Sequence, residues 1–307
     1  MKVVIAGGTG FLGTALARTL AASGHAVVVL TRAARATRPG GLHLVPWTPN
    51  GETGAFAREI DGADAVVNLA GESIAGARWS AGHKRRILDS RVKATRSLTE
   101  AIARAAVPPA VLISGSAVGY YGPCGDEIVT EDSPPGSDFL ARVCMHWEAE
   151  ANRAASDRTR VVCLRTGLVL DAGGGALPQM LPPFKLFVGG RVGSGRQYWP
   201  WIHRDDWVAL VEWAIASKAV SGPLNATAPN PVTNAAFAEA LGGALHRPAL
   251  LPAPGFALRL ILGEMADALL LSGQRAVPAK AEHQWFTFRH PELAGALRAI
   301  FDGSGSR

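Results

Sequence analysis

A glycine-rich segment near the N-terminus constrains the fold of this chain more than any other feature of its sequence. Residues 3–6 form a short apolar run rich in β-branched side chains, and Gly-Gly-Thr-Gly-Phe-Leu-Gly follows at residues 7–13. Leucines then recur every four positions, so the order predicts a strand, a tight turn and an amphipathic helix. Gly7 permits the turn, Gly10 lets the backbone approach a pyrophosphate, and Gly13 allows close helix–strand packing.

This strand–turn–helix context predicts a dinucleotide site, because the free N–H groups of the helix N-terminus attract phosphate oxygens. A plain glycine turn is the weaker alternative. We expect the following residues of the turn to bind the cofactor: Gly7, Thr9, Gly10, Phe11, Leu12 and Gly13.

The end of the second predicted strand indicates which dinucleotide binds. NAD sites normally place an acidic residue there to hold the ribose hydroxyls, but no Asp or Glu occurs in residues 1–51. The strand instead ends in Thr31 and Arg32, a hydroxyl and a guanidinium that suit a 2′-phosphate. The sequence therefore predicts NADP(H), with Arg35 and Arg38 more simply explained as a solvated basic loop.

Short β-branched runs alternate with longer helical patterns over the first two-thirds of the chain, which is typical of a parallel sheet. The predicted fold class is α/β, a Rossmann-type doubly wound parallel sheet with a smaller, mainly helical C-terminal lobe. We expect an NADP(H)-binding domain over residues 1–172, to which residues 204–224 return, and a substrate or lid lobe over residues 173–307. The predicted strands span residues 3–6, 26–31, 43–47, 65–69, 110–114 and 161–165, and the main helices 80–106, 139–155, 205–218, 233–245 and 254–271.

The overall charge is basic, with a formal net charge of +6 over 307 residues. Because the basic residues are scattered, we expect no nucleic-acid partner. Residues 256–271 are interrupted by three charges, and the first strand begins at residue 3, so we expect no membrane partner, no signal peptide and a cytoplasmic location. The three cysteines lack metal-ligand spacing, and we expect no metal site.

Nearly the whole chain resembles the atypical, epimerase-like group of the short-chain dehydrogenase/reductase superfamily, sometimes called "cell division inhibitor". That group joins an NAD-dependent epimerase/dehydratase domain to a C-terminal domain of unknown function. The similarity rests on the glycine turn and on residues 68–72, 90–91, 164–170, 199–203, 225–226 and 252–278.

The resemblance implies further cofactor contacts. Leu69 and Ala70 would line the adenosine and ribose side, Arg91 would contact the cofactor from the long helix, and Val169 would lie near the nicotinamide. Glu72 matches the motif without an evident role, and an acid is unsuited to a phosphate.

The acid–base pair of ordinary short-chain reductases is missing. Their catalytic Tyr precedes a Lys by four residues on the helix after the fifth strand, whereas residues 139–148 contain neither. Ser116 and Tyr121 are the substitutes that we predict as a proton relay, although Tyr121 could equally pack a turn. Arg142 is more simply explained as an exposed surface residue, and Cys144 as a buried one. His203 could cap a helix or face a substrate.

Two functions fit these observations. The first is an NADP(H)-dependent oxidoreductase or epimerase that acts on an unknown small molecule. The second is a non-catalytic regulator that binds NADP(H), which the missing Tyr and Lys favour. A standard nucleotide-sugar epimerase is weaker, because that chemistry also needs the missing Tyr.

Overall fold

The computed structural model describes residues 1–32 and 42–302. Within these residues the strands are β1 (Lys2–Ala6), β2 (Ala26–Thr31), β3 (His43–Pro46), β4 (Ala65–Asn68), β5 (Val111–Ala117), β6 (Ile128–Val129), β7 (Arg160–Thr166), β8 (Leu168–Leu170), β9 (Tyr198–Trp199), β10 (Trp201–His203), β11 (Gly222–Ala226), β12 (Val232–Thr233) and β13 (Arg275–Ala276).

The helices of the same residues are α1 (Phe11–Ala22), α2 (Ala57–Ile60), α3 (Ala81–Arg104), α4 (Phe139–Asn152), α5 (Leu177–Lys185), α6 (Arg204–Ala216), α7 (Asn234–Leu245), α8 (Gly255–Leu262), α9 (Glu264–Ala266), α10 (Ala279–His283) and α11 (Leu293–Asp302). A 3₁₀ turn, Val118–Tyr121, follows β5, and a π-helical turn, Asp267–Leu271, follows α9.

The central sheet has seven strands among the described residues, in the order β11-β7-β5-β4-β1-β2-β3, and every neighbouring pair is parallel. Ala6 pairs with Leu30 on one side and with Asn68 on the other, so the carboxyl ends of these strands share one edge. The predicted doubly wound α/β sheet is confirmed. The crevice beyond that edge is where such sheets bind ligands.

Helices cover both faces of the sheet, which explains why its strands are apolar on both sides. Helices α1 and α6 pack on one face, and α3 and α4 on the other. All four residues of β4 are buried, and Leu16 and Leu20 of α1 are 0% and 1% exposed. After α5 and β10 the chain returns to the central sheet. Helix α6 packs against α1, and β11 extends the sheet beside β7.

The C-terminal lobe has its own apolar core, built from α5, α7 and α11 around Trp199, Trp201 and Phe237. The expectation of a smaller helical lobe is therefore confirmed. The predicted single helix over residues 254–271 is wrong, because Gly263 adopts φ 63° and ψ −141° and separates α8 from α9. The apolar periodicity continues through this break, so the pattern alone does not reveal it.

Two helix boundaries show the local chemistry behind the fold. Gly24 has φ 79° after the end of α1, the left-handed conformation that a glycine adopts at low energy. Ser80 caps α3 by accepting a hydrogen bond from the His83 N–H at 3.1 Å. None of the described helices combines the length and the apolar composition needed to cross a bilayer.

Candidate cofactor site

The glycine turn after β1 is packed so tightly that two of its positions admit no side chain. A Cβ on Gly7, where φ is 79°, would lie 2.7 Å from the Leu69 carbonyl carbon. A Cβ on Gly13 would lie 2.6 Å from the Gly8 Cα. Because both obstacles are backbone atoms, neither can move aside without distorting the turn.

Gly10 occupies a different environment, at the N-cap of α1. Its backbone (φ −78°, ψ 178°) suits any residue, and an added Cβ would meet a single neighbour within 4 Å, the Gly7 oxygen at 3.3 Å. No side chain caps α1, and its first turn carries no acid. The first N–H groups of α1 therefore face open space with no competing anion, which fits a phosphate.

A cavity of about 420 Å³ opens in front of this turn, at the carboxyl edge of the sheet. It brings together segments that follow β1, β2, β3 and β4, with one face of α3. Its lining contains Gly7, Thr9, Gly10, Leu30, Thr31, Arg32, Trp47, Pro49, Leu69, Ala70, Gly71, Glu72, Ser73, Ser90 and Ala94. Seven of the predicted cofactor residues are thus among its lining: Gly7, Thr9, Gly10, Thr31, Arg32, Leu69 and Ala70.

Thr31 and Arg32 meet the cavity where β2 ends. Thr31 is 8% exposed, whereas Arg32 is an exposed residue of the lining. A guanidinium at this point offers two parallel N–H donors to a phosphate. Arg35 and Arg38 lie outside the described residues.

The cavity lining that follows β3, Trp47 and Pro49, and the lining on α3, Ser90 and Ala94, were not predicted as cofactor contacts from the sequence. Trp47 packs edge-on against Phe56, with ring centroids 5.4 Å apart, and gives the cavity an apolar wall together with Pro49. Both residues follow a parallel strand, so the rule that brings the ends of β1, β2 and β4 together would also have found them. Ser90 belongs to the motif at residues 90–91 that carries the family resemblance, whereas Ala94 carries no comparable signal.

Arg91 lies beneath the cavity and is not among its lining. Its guanidinium is over the Trp147 ring at 5.1 Å, and its Nη1 donates to the carbonyl oxygens of Glu72 and Ile87, both at 3.0 Å. Burial lowers the pKa of the guanidinium. Arg91 therefore supports the loop after β4 from below, and its predicted contact with the cofactor stays a prediction.

Glu72, the acid whose role the sequence left open, is held at the rim. Its carboxylate accepts a hydrogen bond from the Arg86 Nε at 3.2 Å and lies 3.5 Å from the His83 Nδ1. Its backbone N–H donates to the Ser90 hydroxyl at 3.0 Å. The Arg86 guanidinium offsets the charge of Glu72 at this point of the cavity wall.

Three further predicted residues are packed in the protein and do not line the cavity. The Phe11 ring lies against Gly174, since a Cβ there would be 2.8 Å from the Phe11 Cε2. Leu12 packs partly buried against the core, and Val169 is 7% exposed in β8. The predicted contacts of Phe11 and Leu12 with the cofactor, and the predicted position of Val169 near the nicotinamide, stay predictions.

Ser116 and Tyr121 belong to one buried polar network on the α4 face of the sheet. The Ser116 hydroxyl donates to Glu148 at 2.7 Å, and the Arg165 guanidinium binds both oxygens of Glu148, at 2.8 and 2.9 Å. Arg165 also donates to the Tyr121 hydroxyl at 3.0 Å, and that hydroxyl donates to Asn225 at 2.7 Å. The two residues are thus linked through Glu148 and Arg165 rather than directly.

Burial and hydrogen bonding in this network shift the pKa of Tyr121 and of Arg165. Burial raises the pKa of Tyr121 to about 12, so the phenol keeps its proton near neutral pH. The hydrogen bonds with Glu148 and Tyr121 raise the pKa of Arg165 in spite of its burial. The Tyr120 ring covers the Arg165 guanidinium at 3.4 Å. This geometry gives Tyr121 a packing and hydrogen-bonding role.

The remaining polar residues near this edge have structural positions. Arg142 is exposed, and Cys144 is 4% exposed, with its pKa raised to about 11 by burial. The His203 Nδ1 accepts the Asp205 N–H at 3.1 Å, so His203 caps α6. The sequence left two roles open for His203, and the structure shows the helix-capping one.

The comparison with known families agrees with this geometry. The model of the NAD dependent epimerase/dehydratase family matches residues 3–226, which include the glycine turn and every residue that lines the cavity. The chain belongs to this family. A second family model, a domain of unknown function called DUF1731, matches residues 253–300, from the segment before α8 into α11.

Relatives within the NAD dependent epimerase/dehydratase family match over almost their full length. Epimerase family protein MT2273 of Mycobacterium tuberculosis (strain CDC 1551 / Oshkosh) is 44% identical over 296 residues, 96% of each chain. The human epimerase family protein SDR39U1 is 39% identical over 303 residues, 98% of this chain and 99% of the relative. The crystal structure of human SDR39U1 (isoform 2) with NADPH superposes with a TM-score of 0.89 at 38% identity, covering 98% of this chain and 99% of that one.

Family membership and the cavity together define the protein as an atypical nicotinamide-dinucleotide-binding member of the short-chain dehydrogenase/reductase superfamily. MoeE5, solved in complex with UDP-glucose and NAD, has a TM-score of 0.78 but only 21% identity. That likeness concerns the fold.

Proposed function

We propose that the protein binds NADP(H) in the cavity at the carboxyl edge of the sheet and acts as an oxidoreductase or epimerase on a small molecule. The observation that carries the proposal is the pairing of an open Gly10 cradle with Thr31 and Arg32 at the end of β2. An acid in that position would repel a 2′-phosphate, and Arg32 attracts it. The NADPH-bound human relative supports the same cofactor.

The residues of the chain divide the work of binding. Gly7 and Gly13 shape the turn, and Gly10 leaves the pyrophosphate direct access to the N–H groups of α1. Trp47 and Pro49 provide an apolar surface for the base. Bound nicotinamide would supply the hydride chemistry.

Ser116 is our candidate for contact with the substrate. Because the Ser116 hydroxyl proton is directed to Glu148, its oxygen can accept a hydrogen bond from a substrate hydroxyl. Tyr121 acts as a positioning residue in this proposal, since it orients Arg165, which in turn orients Glu148.

Turnover can be followed as loss of NADPH absorbance across a library of carbonyl compounds and nucleotide sugars. The proposal expects Ser116→Ala to lower kcat by at least tenfold with unchanged NADPH affinity. Tyr121→Phe should lower kcat less than Ser116→Ala does, and its loss of kcat should accompany a loss of thermal stability. Equal kcat in Ser116→Ala and the native protein refutes the role of Ser116.

A non-catalytic NADP(H)-binding regulator is the second candidate. It is favoured by α4, which carries neither Tyr nor Lys, and by the buried Tyr121 phenol, which keeps its proton near neutral pH. Tight NADPH binding without turnover on any compound of the library would select this function.

A further inference from the structure

One surface of the C-terminal lobe exposes large apolar side chains that the cofactor site does not use. It comprises residues 186–188, residues 250–251, and Phe256, Leu260 and Ile261 on α8, and we call it the apolar lobe surface. Leu250 is 82% exposed, Leu260 78% and Phe256 75%. No residue of α8 is buried. Contiguous exposed apolar surface of this kind usually marks an interaction site.

Backbone hydrogen bonds place the two loop segments of this surface side by side, just before the start of α8. The Leu251 N–H donates to the Gly189 oxygen at 3.2 Å, and the Ala253 N–H donates to the Arg191 oxygen at 2.8 Å. Residues 186–188 therefore lie beside residues 250–251, and α8 begins two residues after Ala253. None of these residues belongs to the lining of the cavity.

The charged residues within the segments that form the apolar lobe surface are basic. Residues 173–203 and 240–263 contain no Asp or Glu, and their basic residues are Lys185, Arg191, Arg196, Arg247 and Arg259. Arg247 lies over the Phe187 ring at 4.7 Å, which puts a cation directly on the apolar surface. Arg259 is the member of this set that pairs with a carboxylate, Asp267. An apolar partner with a negative surface is complementary to this arrangement.

The backbone at Phe187 is a second, independent observation. Phe187 has φ 63° after the end of α5, a left-handed position that favours glycine and strains a bulky side chain. Phe187 keeps this conformation although it is 57% exposed to solvent. Strain of this kind is retained mainly where a function uses it.

We propose that the apolar lobe surface docks on the surface of an anionic phospholipid bilayer. Phe187 and the apolar face of α8 would enter the boundary between headgroups and acyl chains, while Lys185, Arg191 and Arg247 would contact the headgroups. The earlier expectation of no membrane partner rested on the lack of a spanning segment, and peripheral docking needs no span. A second copy of this chain fits less well, because a symmetric contact would bring the two sets of cations together.

Vesicle co-sedimentation of the full chain tests the proposal. Vesicles of phosphatidylcholine alone are compared with vesicles containing equal parts of phosphatidylcholine and phosphatidylglycerol. We expect binding to the mixed vesicles that weakens at high salt, where the Debye length falls to about 3 Å. Lys185→Glu combined with Arg247→Glu should lower the partition coefficient about tenfold or more.

Phe187→Gly is the sharper variant because it removes the aromatic ring and relieves the strained φ, so the fold should be no less stable. We expect it to bind the mixed vesicles about tenfold less. Trp285→Gly is the matched control, since Trp285 also has a positive φ, 60°, and is 90% exposed, but lies beside α10. Trp285→Gly should bind vesicles like the native chain.

Three results would overturn the proposal. The first is equal binding to both vesicle types or to neither. The second is native-like vesicle binding by Phe187→Gly. The third is a concentration-dependent dimer, seen by light scattering, that Phe187→Gly abolishes while vesicles bind nothing, which assigns the surface to a second copy of the chain.

Discussion

Gly10→Ala separates cofactor binding from folding more cleanly than any other substitution in the glycine turn. The backbone at residue 10 is extended, with φ −78°, so alanine adopts it without strain. The added Cβ would meet the Gly7 oxygen at 3.3 Å and otherwise point into open space. Unfolding free energy should therefore change by less than about 1 kcal/mol, and alanine can even stabilise by restricting the unfolded chain.

The effect on the cofactor should be large, because the methyl group would occupy the space in which phosphate oxygens approach the N–H groups of α1. A hydrogen bond to a charged group contributes about 1.5–3 kcal/mol. Loss of one such bond corresponds to a rise in the NADPH Kd of about 10- to 100-fold.

Isothermal titration calorimetry measures the Kd for NADPH, and urea unfolding in the absence of NADPH measures the unfolding free energy. Gly13→Ala is the contrasting variant, since its Cβ would lie 2.6 Å from the Gly8 Cα. It should lose about 1–3 kcal/mol of unfolding free energy. If Gly10→Ala binds NADPH within about twofold of the native protein, the assignment of the open cradle to phosphate is refuted.

Three further predictions concern the residues around the site. Glu148→Gln should cost about 3–5 kcal/mol in urea unfolding, because it leaves the buried Arg165 charge without a counter-ion; a loss below about 1 kcal/mol would contradict this. Tyr121→Phe should cost about 1–2 kcal/mol by the same measurement, since it removes two buried hydrogen bonds, and an unchanged stability would show that they contribute nothing. Burial and His290 lower the pKa of His203, so the unfolded chain binds the proton more readily, and stability should fall as the pH drops below about 6.5; His203→Asn, which can still cap α6, should reduce that slope, and an identical slope would exclude His203.

The sequence was most informative where a local motif and a general packing rule coincide. The glycine turn, the strand ends at Thr31 and Leu69 and the parallel sheet all follow from β-branched runs alternating with helical patterns. The same rule covers Trp47, which ends the predicted strand over residues 43–47. Its placement needs the register of β3 beside β2, Val28 with His43, which the sequence does not specify.

Side-chain networks were the part that the sequence could not specify. The link from Ser116 to Tyr121 runs through Glu148 on α4 and Arg165 on β7, and it depends on how α4 packs on the sheet. Similarly, Gly263 ends α8 inside a continuous apolar pattern. In both cases tertiary packing decides between conformations that the local sequence permits equally.

The affinity for NADPH relative to NADH, measured in the native protein and in Arg32→Ala, tests the central claim most directly. A guanidinium on the 2′-phosphate predicts that the native protein binds NADPH about 10- to 100-fold more tightly than NADH. Arg32→Ala should lose most of this preference while its NADH affinity stays unchanged. Equal affinity of the native protein for both dinucleotides, or an undiminished preference in Arg32→Ala, would contradict the assignment.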